Sequence, residues 1–255
     1  MAEPVVLLHS LGLTGAAWEP QLPGLVARRT VLHPDLRGHG GNWDGAAFGI
    51  ADMVDDLAAL LDSHGAERAV LVGLSLGGNV AMTFAARHPG RVAALLLADC
   101  TPWYGEGGGE FWMRRAEGFE ELGQEALEQT QLDRWFSRGF RERRPDEVAR
   151  LLGLLRGNDR RGIAAACRAL AGLDARPGLG AIAAPALVVG GSEDAGVTPE
   201  QVAGLAAAIP GSQLEILEGA GHLSLLEHPE VLAEAIGRLG RAAGPPRPPN
   251  LMEAN

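Results

Sequence analysis

The chain has 255 residues, 46% of them apolar, which is enough for one large core, and its two cysteines rule out a disulfide framework. The formal charge is −10 and there is no lysine, so arginine supplies every permanent side-chain cation; this argues against nucleic acid or an anionic membrane as partner, and it excludes Schiff-base and P-loop lysines. No apolar run approaches the roughly 20 residues that span a bilayer, and the start lacks the basic and apolar blocks of a secretory signal, so the expectation is a soluble, cytoplasmic protein.

Residues 4–9 read as a buried strand, a short apolar run ended by Gly12 and Thr14. Residues 29–35 read as a second strand, closed by the glycine-rich stretch 38–41. Residues 51–64 carry Met53, Val54, Leu57, Leu60 and Leu61 at helical spacing. A third strand (69–73), a small-residue helix (76–87) and a fourth strand (92–98) follow. Alternation of this kind implies parallel strands with helices on both faces, and such strands are continuous apolar runs because both faces are covered.

The pattern breaks at residues 103–176, which hold helical stretches, no convincing strand, and Trp103, Trp112, Trp135 and Phe136. It returns with a strand (186–190), a helix (199–208), a strand (213–217) and a helix (229–239). Thr198-Pro199-Glu200-Gln201 is a good helix start, with Thr as cap, Pro first and Gln third. The reading is an α/β core formed by residues 1–102 and 177–240, with a helical cap, 103–176, inserted after the fourth core strand. Residues 241–255, rich in proline, are expected to be a disordered tail. Cys100 and Cys167 read as packed thiols.

The strongest chemical signal is Gly73-Leu74-Ser75-Leu76-Gly77-Gly78, between a strand and a helix. In that setting a G-x-S-x-G sequence makes a sharp turn that lifts the serine hydroxyl above the sheet. It also turns the Leu76 N–H, at a helix start, toward a developing oxyanion. A serine needs a base. Of the seven histidines, His222 alone lies in a loop after a late strand, where open sheets place their sites; His228 reads as a surface cap. The acid belongs at another strand end. Asp194 is first choice, with adjacent Glu193 and Asp99 as alternatives. The Leu11 N–H, in the loop after the first strand, is the candidate second oxyanion donor. Asp35 and Arg37 read as loop ties, and His39 has no assigned role. Neither a G-x-G-x-x-G sequence after the first strand nor a P-loop is present, so no nucleotide cofactor is expected.

The ordered set His9-Ser10-Leu11-Gly12, Asp35-Leu36-Arg37-Gly38-His39-Gly40, the Ser75 turn, Gly191-Ser192-Glu193-Asp194 and Gly221-His222-Leu223-Ser224 resembles the α/β-hydrolase superfamily over residues 4–240. In detail it is most similar to the 3-oxoadipate enol-lactonase branch, as are Trp135-Phe136-Ser137-Arg138 and Glu227-His228-Pro229-Glu230. The resemblance implies the α/β-hydrolase fold and hydrolysis of a small anionic enol-lactone without metal or organic cofactor. The aromatics of the inserted segment, placed over Ser75, put Trp103, Trp112 and Trp135 forward as substrate-binding residues, and Arg138, three residues after Trp135 and on the same face if the stretch is one helix, as the cation for the carboxylate of such a substrate. Two departures stand out: Gly107-Gly108-Gly109 should loosen the cap entrance, and the stretch from Asp194 to Pro199 is one residue longer than usual, which keeps Glu193 open. Carboxylesterase, C–C hydrolase, perhydrolase or cyclase activity, and a non-catalytic small-ligand receptor, remain alternative readings. The oligomeric state is not legible.

Overall fold

The computed structural model describes residues 3–27 and 29–242. Six strands form one sheet: β1 (Val5–Leu8), β2 (Val31–Leu32), β3 (Ala69–Leu74), β4 (Val92–Ala98), β5 (Ala186–Gly191) and β6 (Gln213–Leu217). The order is β2-β1-β3-β4-β5-β6, and among the described residues every pairing is parallel. Strands β1, β3, β4 and β5 are buried along their whole length. The edge strand β6 leaves Leu214 and Ile216 exposed.

Helices α1 (Leu22–Val26), α2 (Ile50–Ser63) and α3 (Leu76–Arg87) belong to the first half. The α2 helix begins one residue before the sequence pattern because the Asp52 carboxylate accepts from the Gly49 N–H (2.7 Å) and caps it. The expected second strand shrinks to two paired residues. Pro34 has no N–H to donate to a ladder, and the Leu36 N–H turns to His9 Nε2 instead (2.9 Å).

Between β4 and β5 lie α4 (Gly108–Glu121), α5 (Gln124–Trp135), α6 (Arg138–Arg143), α7 (Pro145–Gly157) and α8 (Arg160–Ala171), with no strand among them. The glycines of 107–109 lie at the start of α4. Gly107 caps α4, Gly108 and Gly109 form its first turn, and a methyl on Gly108 would meet Tyr104 Cβ at 2.5 Å. The segment sits over the carboxyl ends of the strands. Trp135 and Leu155 touch Gly12 after β1, Gly162 meets Gly38 after β2, and the Leu223 N–H after β6 donates to the Trp135 carbonyl (3.0 Å).

Helices α9 (Pro199–Ala208), α10 (Ser224–Glu227) and α11 (Pro229–Ala242) complete the chain. The reciprocal Thr198–Gln201 cap forms at the start of α9. The helix α11 carries residues 241 and 242, so these two do not belong to the expected disordered tail; its other residues, 243–255, lie outside the described residues. Among the described residues no helix is long and apolar enough to cross a membrane.

Close backbone approach at the Ser75 turn gives a stability prediction. A methyl on Gly77 would lie 2.2 Å from the Leu8 carbonyl oxygen, while one on Gly204, exposed in α9, meets nothing within 4 Å. Urea unfolding should show Gly77→Ala losing about 2 kcal/mol or more. Gly204→Ala should gain up to about 1 kcal/mol from helix propensity.

Candidate active site

The strand β3 and helix α3 leave no residue free between them except Ser75, which is held at φ 53° and ψ −112°. A side chain at Gly73 would strike the Gly77 carbonyl at 2.4 Å, and one at Gly78 would strike Cys100 Sγ at 2.6 Å. Only glycine lets the chain fold back this tightly. The turn is pinned by the Ser75 N–H, which donates to the Ala98 carbonyl (2.8 Å), and by the Gly77 N–H, which donates to the His9 carbonyl (3.1 Å).

Ser75 Oγ lies 2.8 Å from His222 Nε2, and His222 Nδ1 lies 2.8 Å from Asp194 Oδ2. An ionised carboxylate only accepts, so the Nδ1 proton points to Asp194 and Nε2 is left to accept from the serine. Asp194 Oδ1 takes the Gly196 and Val197 N–H groups (2.6 and 3.0 Å), which orients the carboxylate independently of the imidazole. Ser75, Asp194 and His222 are each 5% exposed or less. Glu193, beside Asp194, is exposed.

Asp99 is buried with an unusual positive φ of 51°. It accepts from the Gly191 N–H (3.1 Å), the Ser224 N–H (2.9 Å) and the Ser224 hydroxyl (2.7 Å). It therefore ties the acid loop to the histidine loop and does not touch His222. Burial first, and then the Asp194 charge, push its pKa well above the usual carboxylate range, against the pull of its three donors.

The two candidate oxyanion donors, the Leu11 and Leu76 N–H groups, have no protein acceptor among the described residues. Sequence reasoning missed what holds the Leu11 loop. The Gly12 N–H donates to His39 Nε2 (3.0 Å), and the Gly12 carbonyl accepts from Asn158 Nδ2 (3.0 Å). His39 packs edge-on against His9, with centroids 5.0 Å apart. The chain after β2 is tied down as well: Asp35 accepts from the Gly15 N–H (2.7 Å), and Arg37 forks onto Asp56 of α2. Glu227, also unforeseen, accepts from the Ser137 N–H and hydroxyl (2.8 and 2.6 Å) and from the Gly221 N–H (3.3 Å), linking α6 to the histidine loop.

The expected substrate-binding residues part company. Trp135 is buried against Gly12, and Trp112 is buried beside Tyr104. Trp103 stacks under the Arg176 guanidinium, 3.8 Å from its ring centre, at the base of the inserted segment. Arg138 does not enter the site: its side chain is 84% exposed and pairs with Glu142. The spacing argument that put Trp135 and Arg138 on one helical face fails because α5 ends at Trp135. Phe136 and Ser137 are extended, and Ser137 caps a new helix. His228 is half-buried and faces Glu230.

A sequence profile of the alpha/beta hydrolase family matches residues 5–235. A 3-oxoadipate enol-lactonase of Acinetobacter baylyi is 32% identical over 91% of this chain and 86% of its own. A pimeloyl-[acyl-carrier protein] methyl ester esterase of Neisseria meningitidis is 31% identical over 90% of this chain and 89% of its own. The crystal structure of the enol-lactonase from Burkholderia xenovorans superposes with a TM-score of 0.88 at 32% identity, covering 94% of this chain and 91% of that one.

The paired histidines give a pH signature. Burial lowers His9 from 6.5 to about 4; burial, and then the neighbouring His9, lower His39 from 6.5 to about 3. Both are neutral when folded, and the unfolded chain binds the extra protons. Their contribution is complete above about 6.5 and is lost as pH falls through that window to about 3. Unfolding free energy should therefore rise with pH across the window, and His39→Gln should flatten the slope; an unchanged slope contradicts the assignment.

Proposed function

The chain belongs to the alpha/beta hydrolase family, and on that premise we propose that it is a serine hydrolase cleaving a small ester or lactone through an acyl-enzyme on Ser75. The observation that carries this reading is His222, whose two ring nitrogens meet Ser75 and Asp194 at 2.8 Å each. His222 Nε2 takes the serine proton as Oγ attacks the carbonyl carbon. The Leu11 and Leu76 N–H groups receive the oxyanion of the tetrahedral intermediate. As the intermediate collapses, the protonated imidazole gives its proton to the leaving oxygen, which in a lactone stays attached to the acyl group. His222 then deprotonates a water that attacks the acyl carbon, and Ser75 recovers its proton. Asp194 holds the imidazole tautomer and stabilises its cation. The sequence balances with water alone.

Enol-lactones are the favoured substrates, supported by the likeness to the two enol-lactonases along nearly the whole chain. Simple esters are the second class, supported by the methyl ester esterase among the relatives.

Kinetics on a panel of small lactones and esters test this. Ser75→Ala, His222→Ala and Asp194→Asn should each lower kcat by about three orders of magnitude or more while folding survives. Glu193→Gln should stay within a few-fold of wild type. Near-native turnover in His222→Ala, or a Glu193→Gln loss matching that of Asp194→Asn, removes the assignment.

A further inference from the structure

Two stretches singled out in the sequence, Trp135-Phe136-Ser137-Arg138 and Glu227-His228-Pro229-Glu230, have no part in the triad chemistry. The fold brings them together beside His222. The Trp135 carbonyl accepts from the Leu223 N–H (3.0 Å). Ser137 donates its N–H to Glu227 Oε1 (2.8 Å) and its hydroxyl to Glu227 Oε2 (2.6 Å). Glu227 Oε1 also accepts from the Gly221 N–H (3.3 Å). The residue before His222 and the residue after it are thus both tied to the inserted segment, Gly221 through Glu227 and Leu223 directly. Ser137 is itself fixed, because its hydroxyl oxygen accepts from the Phe140 N–H (3.2 Å) and caps α6.

The packing there is as close as the hydrogen bonding. A methyl on Gly221 would lie 2.5 Å from the Ser137 nitrogen and 2.8 Å from the Phe136 carbonyl carbon. A methyl on Gly191, at the end of β5, would lie 2.3 Å from the Ala220 and Gly221 carbonyl oxygens. The backbone entering His222 is therefore pressed both by the sheet and by the inserted segment. Glu227 is buried, and burial raises its pKa above the usual carboxylate range, against the pull of the Ser137 and Gly221 donors. A carboxylate has two oxygens and accepts from both chains at once. A buried acceptor or donor that loses its partner costs its full desolvation, which favours seating the two chains together. The demand on His222 is strict. Its ring must keep 2.8 Å to Ser75 on one side and 2.8 Å to Asp194 on the other, and a loop displaced by an ångström breaks both contacts.

We propose that Glu227 is a positioning residue for the catalytic base: by clasping Gly221 to Ser137 it makes the seating of the inserted helices a condition for holding His222 between Ser75 and Asp194. The proposal rests on His222 acting as the base of a serine hydrolase. It gives the inserted segment a part in building the catalytic machinery in addition to covering it.

The test reads kcat and KM on a small neutral ester, and the rate of fluorophosphonate labelling of Ser75, at a temperature where each variant is folded, with Tm measured beside them. Glu227→Ala should lower kcat about tenfold to a hundredfold, the scale of an ångström's misplacement, with KM nearly unchanged and labelling slowed by a similar factor. Glu227→Gln keeps an acceptor for the two N–H groups and a donor for the Ser137 oxygen, so it should recover most of that loss, with the acid limb of the kcat/KM profile in place. Ser137→Ala should lower kcat less, and the double variant should be no slower than Glu227→Ala, because both break one clasp. Leu61→Ala, buried on α2, should lower Tm and leave kcat unchanged. If Glu227→Ala lowers Tm but not kcat or the labelling rate, Glu227 is structural only and the proposal falls. If Glu227→Gln loses as much as Glu227→Ala, or moves the acid limb, its charge rather than its bridging acts on His222, and the proposal falls too. Additive losses in the double variant also overturn it. If Glu227→Ala does not fold, Ser137→Ala decides, and an unchanged kcat there contradicts the clasp. Proton NMR reads the clasp without turnover. The low-field resonance of His222 Nδ1–H, identified by its loss in His222→Gln, should broaden or vanish in Glu227→Ala and return in Glu227→Gln. A sharp, unmoved resonance in Glu227→Ala contradicts the clasp; its loss in a protein that neither turns over nor labels upholds the clasp while the hydrolase reading fails.

Discussion

Ser75 is forced into a backbone conformation that side chains rarely adopt, φ 53° with ψ −112°, and the arrangement around it depends on that turn. Gly73 and Gly77 make the turn possible by having no side chain where other backbone passes. The Gly77 N–H then binds the His9 carbonyl at the end of β1. The same contact that seats the nucleophile therefore seats the loop carrying Leu11. Strain of this kind, of the order of 1–3 kcal/mol, persists because β3 and β4 are buried along their whole length beside it.

Around the turn, buried polar groups fix loops rather than perform chemistry. His9 and His39 stay neutral because burial penalises their cations, and as neutral rings each can accept a backbone N–H at Nε2: Leu36 to His9 and Gly12 to His39. Asp99 joins the loop after β5 to the loop after β6. Glu227 joins the histidine loop to Ser137, where α6 begins. Each is a polar group whose burial is compensated by hydrogen bonds. His9 and His39 thus join the loops after β1 and β2, Asp99 joins the loops after β5 and β6, and Glu227 joins the last of these to the inserted helices, in keeping with the preorganisation that electrostatic stabilisation of an oxyanion requires.

Much of this was legible in the chain because it depends on local constraints. The small-residue helix after Ser75, the buried runs of β3 and β4, and the Thr198 cap follow from periodicity, glycine placement and capping chemistry alone. The glycines at 73 and 77 mark a turn that few other sequences tolerate. What was not legible depends on partners far apart in sequence. His39 binds Gly12 across 27 positions and Asn158 binds it across 146; neither has a local signature. The second strand was overread because Val31 and Leu32 have the right residue types but Pro34 ends the pairing. Arg138 was misplaced because its spacing from Trp135 presumed one continuous helix, whereas α5 stops at Trp135.

The central claim is that His222 and the Ser75 turn make this one serine hydroxyl nucleophilic. A fluorophosphonate probe on the folded protein, followed by intact mass and peptide mapping, tests it most directly. The account predicts one equivalent of label on the peptide carrying Ser75, with labelling strongly slowed in His222→Ala. Label on another residue, or none while the protein remains folded, would contradict it.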